Sequence, residues 1–125
     1  MSDIYNYPKQ VIYGNVPSKS NGYKIVTIAN HASLAKTKAM KAYEDSFFMQ
    51  CNQYRNKNID THFEFSMDVY YPTNKSDLDN SCKVVLDVLQ HKVKAIKNDN
   101  KCVAIHLRKF TDKNNPRIEF YIKPA

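Results

Sequence analysis

The sequence predicts an α+β domain, a mixed or antiparallel sheet of about five strands packed against two main helices. Three observations carry this expectation. The chain has 125 residues, 42% of them apolar and 25% charged, the size and balance of one domain around one core. Residues 61–71 alternate, with Phe63, Phe65, Met67, Val69 and Tyr71 on one side and His62, Glu64, Ser66, Asp68 and Tyr70 on the other, the period of a half-buried strand. From Leu78 the period changes, and Leu78, Cys82, Val85, Leu86, Leu89 and Val93 fall on one face of a helix. No repeat, low-complexity segment or linker divides the chain, so residues 1–125 read as a single domain.

Each remaining element follows from local pattern. Val11 and Tyr13 lie in a short alternating run that predicts a first strand over 10–15, ended by Gly14 to Pro17. Pro17 to Tyr23 is rich in Ser, Asn and Gly and reads as a basic loop, in which Lys19, Ser20 and Asn21 could meet phosphate. The unbroken Ile25-Val26-Thr27-Ile28 predicts a second strand over 24–29. Asn30 to Ser33 then looks like the start of a helix with Ser33 as cap, running from Leu34 to about Tyr54 and carrying Lys36, Lys38 and Lys41 on its wet face. Strands over 102–111 and 117–123 follow, joined at Asn114-Asn115-Pro116 as a hairpin.

Composition narrows the function. Nineteen Lys and Arg against twelve Asp and Glu leave a formal charge of +7, which favours a polyanionic partner through phosphate contacts and counterion release. No apolar run approaches the ~18 residues of a membrane span and no charged-then-apolar leader is seen, so a soluble, cytoplasmic protein without membrane contact is expected. Cys51, Cys82 and Cys102 share no paired spacing and read as reduced thiols, and His31, His62, His91 and His106 form no zinc pattern. Gly14 and Gly22 are the only glycines, so neither a Walker loop nor a GxGxxG turn exists and no nucleotide cofactor is expected.

Against this basic background stands Asp77-Leu78-Asp79-Asn80-Ser81-Cys82-Lys83, followed about one helix later by Asn98-Asp99-Asn100. Two carboxylates held close repel unless a cation or proton lies between them. The bland reading is a helix start, with Asp77 as cap, Asp79 near the positive end and an Asp79 to Lys83 pair one turn apart. A calcium EF-hand is excluded because Cys82 stands at the glycine position and Val88 at the final glutamate. What remains is an oxygen-rich site of the kind Mg²⁺ or Mn²⁺ accepts, beside basic surface and a lysine, which is the equipment of phosphodiester hydrolysis.

These residues resemble a known family, the RusA-type Holliday junction resolvases. The resemblance rests on Asp77-Leu78-Asp79-Asn80, Lys83, Leu86-Asp87-Val88-Leu89 and Asp99 in a turn before a strand, and on Val16-Pro17-Ser18-Lys19-Ser20-Asn21 followed by a lysine-rich helix. It implies that Asp77, Asp79 and Asp99 bind the metal, that Lys83 is the catalytic lysine and that Asn80 supports the cluster. DNA contacts are expected at Lys19, Asn21, Lys36, Lys75 and Asn80. It also implies a homodimer that nicks four-way DNA junctions symmetrically with Mg²⁺, or Mn²⁺ in its place, within a bacterial or phage-infected cell. The chain departs from the family pattern at Asn98, where a second acid often precedes Asp99, and at Lys75, the one basic residue in a segment where some members carry several arginines. A non-catalytic junction-binding protein with the same fold is the alternative that the Asn98 departure favours. An RNA-binding domain would require aromatic residues on an exposed sheet face.

Overall fold

The computed structural model describes residues 8–125. Nine regular elements follow in order: β1 (Gln10–Tyr13), the single turn α1 (Lys19–Gly22), β2 (Tyr23–Ile28), β3 (His31–Lys36), α2 (Lys38–Gln50), β4 (Phe63–Tyr71), α3 (Leu78–His91), β5 (Cys102–Thr111) and β6 (Arg117–Pro124), with a 3-10 turn at Asp99–Lys101 before β5. The α+β expectation holds, with the strands divided into a four-stranded sheet of order β1-β6-β4-β5 and a separate two-stranded hairpin of β2 and β3. No helix among the described residues is long and apolar enough to cross a membrane.

The alternation read from β4 is the burial seen. Phe63, Phe65, Met67, Val69 and Tyr71 are buried, while Glu64, Ser66, Asp68 and Tyr70 are half-covered. The inner face joins Met40, Tyr43 and Phe47 of α2, Val85 and Leu89 of α3, and Ile118, Phe120 and Ile122 of β6 in one core. Phe120 is its hub. The rings of Phe47, Tyr54 and Phe65 lie 6.0, 5.7 and 5.9 Å from it, centroid to centroid.

Two expectations are corrected. Residues 31–36 form β3 rather than the first turn of a helix, and α2 starts only at Lys38, with Thr37 in place of Ser33 as its cap: the Thr37 hydroxyl accepts from the Met40 amide at 3.2 Å and donates to the Asn21 carbonyl at 2.8 Å. Ala32, Leu34 and Ala35 suit a helix locally, but the exposed ladder of β2 supplies hydrogen-bond partners that override this preference. The reversal occurs at Ala29 and Asn30, both with positive φ (51° and 66°), the two-residue geometry of a tight hairpin. The second correction concerns β5 and β6, which do not pair with each other. β4 lies between them, parallel to β5 and antiparallel to β6, so the crossover through α3 brings β5 alongside β4. As the outer strand, β5 leaves Val103 and Ile105 exposed despite their apolar alternation.

The face of the sheet away from the helices is laced by ion pairs. Arg117 donates from Nε to Glu119 at 2.7 Å and from Nη1 to Asp112 at 2.9 Å, with its guanidinium 3.8 Å from the Tyr70 ring centroid. The hydrogen bond from Arg117 holds the Asp112 carboxyl below its ordinary value. Burial pushes Glu119 up, but Arg117 and Lys9 outweigh it and the net direction is also down. A carboxylate with a lowered folded pKa adds stability above its unfolded pKa and loses it as the pH falls through the folded value. Wild-type stability should therefore decline below about pH 4. Arg117→Leu should be less stable at neutral pH, and its deficit should narrow on acidification. Urea melts of both proteins between neutral and strongly acidic pH test this, and a constant deficit would refute the assignment.

Candidate active site

The end of β4 is tied directly to the start of α3. The buried hydroxyls of Tyr71 and Ser81 are 2.6 Å apart, and the Tyr71 hydroxyl also donates to the Asp77 carbonyl at 3.3 Å. Asp77 caps α3 with Oδ1 accepting from the Asp79 amide at 3.0 Å. The cap expected from sequence is thus present, and one Asp77 oxygen, Oδ2, takes no part in it. Asn80 donates from its side chain to the Pro17 carbonyl at 3.2 Å, which fastens the Pro17 to Asn21 segment against the helix start.

Lys109, which no local pattern singles out, fixes the approach to Asp77. Its Nζ donates to the carbonyls of Asn74 and Ser76 at 2.8 and 2.7 Å and lies 5.7 Å from the Tyr71 ring centroid. Two loop carbonyls are held by a side chain 32 residues beyond Asp77, so only the folded chain shows the role. Lys109→Met should release both carbonyls and loosen the loop that leads to Asp77, seen as faster amide hydrogen exchange over residues 73–77; unchanged exchange there would refute the anchoring role.

Asp77, Asp79, Asn80, Lys83 and Asp87 of α3 and its cap line one open hollow with Lys19. Tyr23 and Leu34 of the hairpin contribute to the same lining. An adjoining hollow shares Lys19, Asp77 and Asn80 and adds Asn21 and Ser76. Lys36 stands apart, donating to Glu44 at 2.6 Å and lying 3.8 Å from Asp87. The hydrogen bond to Glu44 raises the Lys36 pKa. Lys75 is exposed in the loop before Asp77 and lines neither hollow. Asp99 lies outside both linings as well, its amide donating to the Gln90 side chain at 2.9 Å. It is nevertheless close by in charge. Burial raises the Cys82 thiol to about 11, helped by Cys102 and Asp79, while Cys102 is raised by burial and in part by Asp99. Asp79 thus acts on Cys82, and Asp99 on Cys102.

Charge compensation singles out the three acids. Of the twelve acids in the chain, Asp3 precedes the described residues. Glu44, Asp45, Asp60, Glu64, Asp68, Asp87, Asp112 and Glu119 each have a Lys, Arg or His within ion-pair distance. Among the described residues the acids without such a partner are Asp77, Asp79 and Asp99. Lys83, one turn from Asp79, has no ion pair among the described residues either, so the helical pair suggested by their spacing does not form. Another hollow, on the open face of the sheet, has its acids Asp68 and Glu119 paired with Arg108 and Lys9, and Glu64 3.7 Å from the His106 ring nitrogen. The unpartnered acids lie at the start of α3 and in the 3-10 turn before β5.

The family model described as Endodeoxyribonuclease RusA matches residues 16–123, nearly the whole chain. The chain belongs to the RusA endodeoxyribonuclease family. Membership of the RusA family carries endodeoxyribonuclease activity and action on Holliday junctions. The match spans every element from α1 to β6, including the acids at the start of α3, the 3-10 turn with Asp99 and the hairpin. No curated protein matches the chain. Asn98, at the position where RusA resolvases often carry an acid, caps the 3-10 turn, its side-chain oxygen accepting from the Asn100 amide at 3.0 Å. Asparagine is therefore sufficient for the local fold of that turn. Among the described residues no three carboxylate, imidazole or thiol groups lie close enough together to hold one ion. Of the three acids that line one hollow, Asp87 lies within ion-pair distance of Lys36 and His91, and Asp77 and Asp79 have no such partner among the described residues.

Proposed function

We propose that this protein is a metal-dependent endonuclease that resolves four-way DNA junctions as a homodimer, by paired symmetric nicks. The observation that carries the reading is the set of acids with no Lys, Arg or His within ion-pair distance among the described residues, Asp77, Asp79 and Asp99, in a chain of net charge +7. Uncompensated carboxylates beside basic surface suit a divalent cation, and Mg²⁺ is held by one or two protein carboxylates together with water and substrate phosphate. Asp77 and Asp79 fit that role as the pair in one hollow, with Asp99 as the third acid, and Mn²⁺ can take the place of Mg²⁺. The metal, when bound, activates the attacking water and neutralises charge on the scissile phosphate.

The remaining roles belong to the chain. Lys83, unpaired and on the hollow, stabilises charge that develops on the phosphate in the transition state. Lys19 and Asn21 meet the DNA backbone from the segment that Asn80 fastens to α3, and Lys75 meets it from the loop before Asp77. Lys36 would contact phosphate only by giving up part of its hold on Glu44. Hydrolysis is direct, leaving 5′-phosphate and 3′-hydroxyl ends. A dimer matches a substrate whose two scissile strands are related by two-fold symmetry.

The deciding experiment is cleavage of a labelled synthetic four-way junction beside linear duplex of the same sequence, with Mg²⁺, with Mn²⁺ and with EDTA. Paired nicks on the junction alone, lost in EDTA, are the expected result. Binding of the junction without cleavage under either metal would assign the protein to a non-catalytic accessory class.

A further inference from the structure

The β2–β3 hairpin lies outside the main sheet, yet it shows Ile25 at 75%, Ile28 at 67% and Leu34 at 62% exposure. Its base is locked, with the Thr37 amide donating to the Gly22 carbonyl at 2.9 Å and Lys36 held by Glu44. Six residues per strand carry the rest roughly 20 Å beyond that base. A two-stranded ribbon of this kind is marginal alone in water, and its apolar side chains have no cover. Ile25 and Leu34 are direct cross-strand partners, so they share a face with Tyr23 and its partner Lys36. Tyr23 and Leu34 of that face line the hollow of Asp77 and Asp79. A strand whose phosphate reaches the acids therefore runs alongside this apolar face.

Charge indicates which occupant covers it. Residues 4–43 contain Lys9, Lys19, Lys24, Lys36, Lys38 and Lys41 and not one acid. A second basic hairpin would be repelled, whereas a nucleic-acid backbone would be drawn in. We infer that the β2–β3 hairpin is a wedge for the branch point of DNA, with Ile25 and Leu34 inserting against unstacked bases while the neighbouring lysines hold the flanking phosphates. Apolar side chains inserted at a base step, with cations beside them, are an established way to hold DNA in a distorted form. The inference rests on the junction-cleaving reading above and adds to it the element that tells a branch from a plain duplex.

The test compares the wild-type protein with I25S/L34S and with the conservative I25L/L34I, in EDTA so that no strand is cut. Three readings are taken on each: the ratio of duplex to junction dissociation constants, the fluorescence of 2-aminopurine placed beside the crossover, and the mass in solution. The expected result is a selectivity ratio lower by about tenfold or more in I25S/L34S. The 2-aminopurine rise on binding should vanish in that variant, the mass should be unchanged, and I25L/L34I should keep both signals. Selectivity and fluorescence that survive I25S/L34S would overturn the wedge while leaving the nuclease reading intact. A fall in mass from dimer to monomer would overturn it in favour of a dimerisation arm. Absence of junction preference in the wild-type protein would remove the functional reading itself, and the wedge with it.

Discussion

Asp79→Asn is expected to lower junction cleavage by about 10³-fold or more, the scale on which a group acting directly on the transition-state charge is felt, while junction binding is retained or strengthened. The two halves of the result have one cause. Asp79 has no cation partner within the described protein, so its negative charge opposes the phosphate until a metal is bound. The amide is nearly isosteric, and it is the Asp77 carboxylate that caps α3, so the helix start keeps its hydrogen bond. Single-turnover cleavage and gel-shift binding of the same four-way junction give the two numbers separately. Parallel loss of both would mean that Asp79 serves the fold and not the reaction. Asp87→Asn is the matched control, because Asp87 lines the same hollow but is compensated by Lys36 and His91.

Phe120→Ala should be the most destabilising single truncation among the core aromatics, by about 3–5 kcal/mol. Total stability for a domain of this size is about 5–15 kcal/mol. The ring is fully buried and three other aromatic rings pack on it from α2, from the segment after α2 and from β4. Its removal opens a cavity that rigid neighbours cannot close. The adjacent Tyr121 points to the open face of the sheet, and Tyr121→Ala should stay within about 0.5 kcal/mol. Urea melts give both values. Comparable effects at the two positions would mean that the alternation of β6 had been misassigned.

Much of the architecture was legible because its cause is local. The alternation from Phe63 to Tyr71 and the helical stripe from Leu78 to Leu89 each record a face turned to the same core, and Asp77 carries its cap signal in its own side chain. The start of α2 was misplaced because the choice at residues 31–36 is decided by β2, and the ladder outweighs the helical preference of its alanines and leucine. The neighbour of β5 was misassigned for a related reason: Asn114-Asn115-Pro116 describes a turn, not which strands flank it, and β4 separates the two. The site divides in the same way. Asp77, Asp79 and Lys83 are readable because they lie within two turns of one helix, whereas Tyr23, Leu34 and Lys109 arrive from distant strands. The metal-binding role of Asp99 rests on family pattern, and the fold sets it outside the lining of the hollow, in the 3-10 turn with its amide on Gln90.

The position of β6 also fixes an order of assembly. This strand, the latest of the described elements, sits in the interior of the sheet between β1 and β4, the register running from Gln10 opposite Phe120 and from Phe63 opposite Pro124. Until residues 117–124 have been synthesised, β1 has no strand to pair with and β4 lacks one of its two neighbours. The scaffold beneath Asp77 and Asp79 therefore closes only after nearly all of the described chain exists. A nascent fragment ending before Arg117 would expose the flanks of two strands to its neighbours without holding the acids on a finished sheet, which makes late closure a point of vulnerability to aggregation.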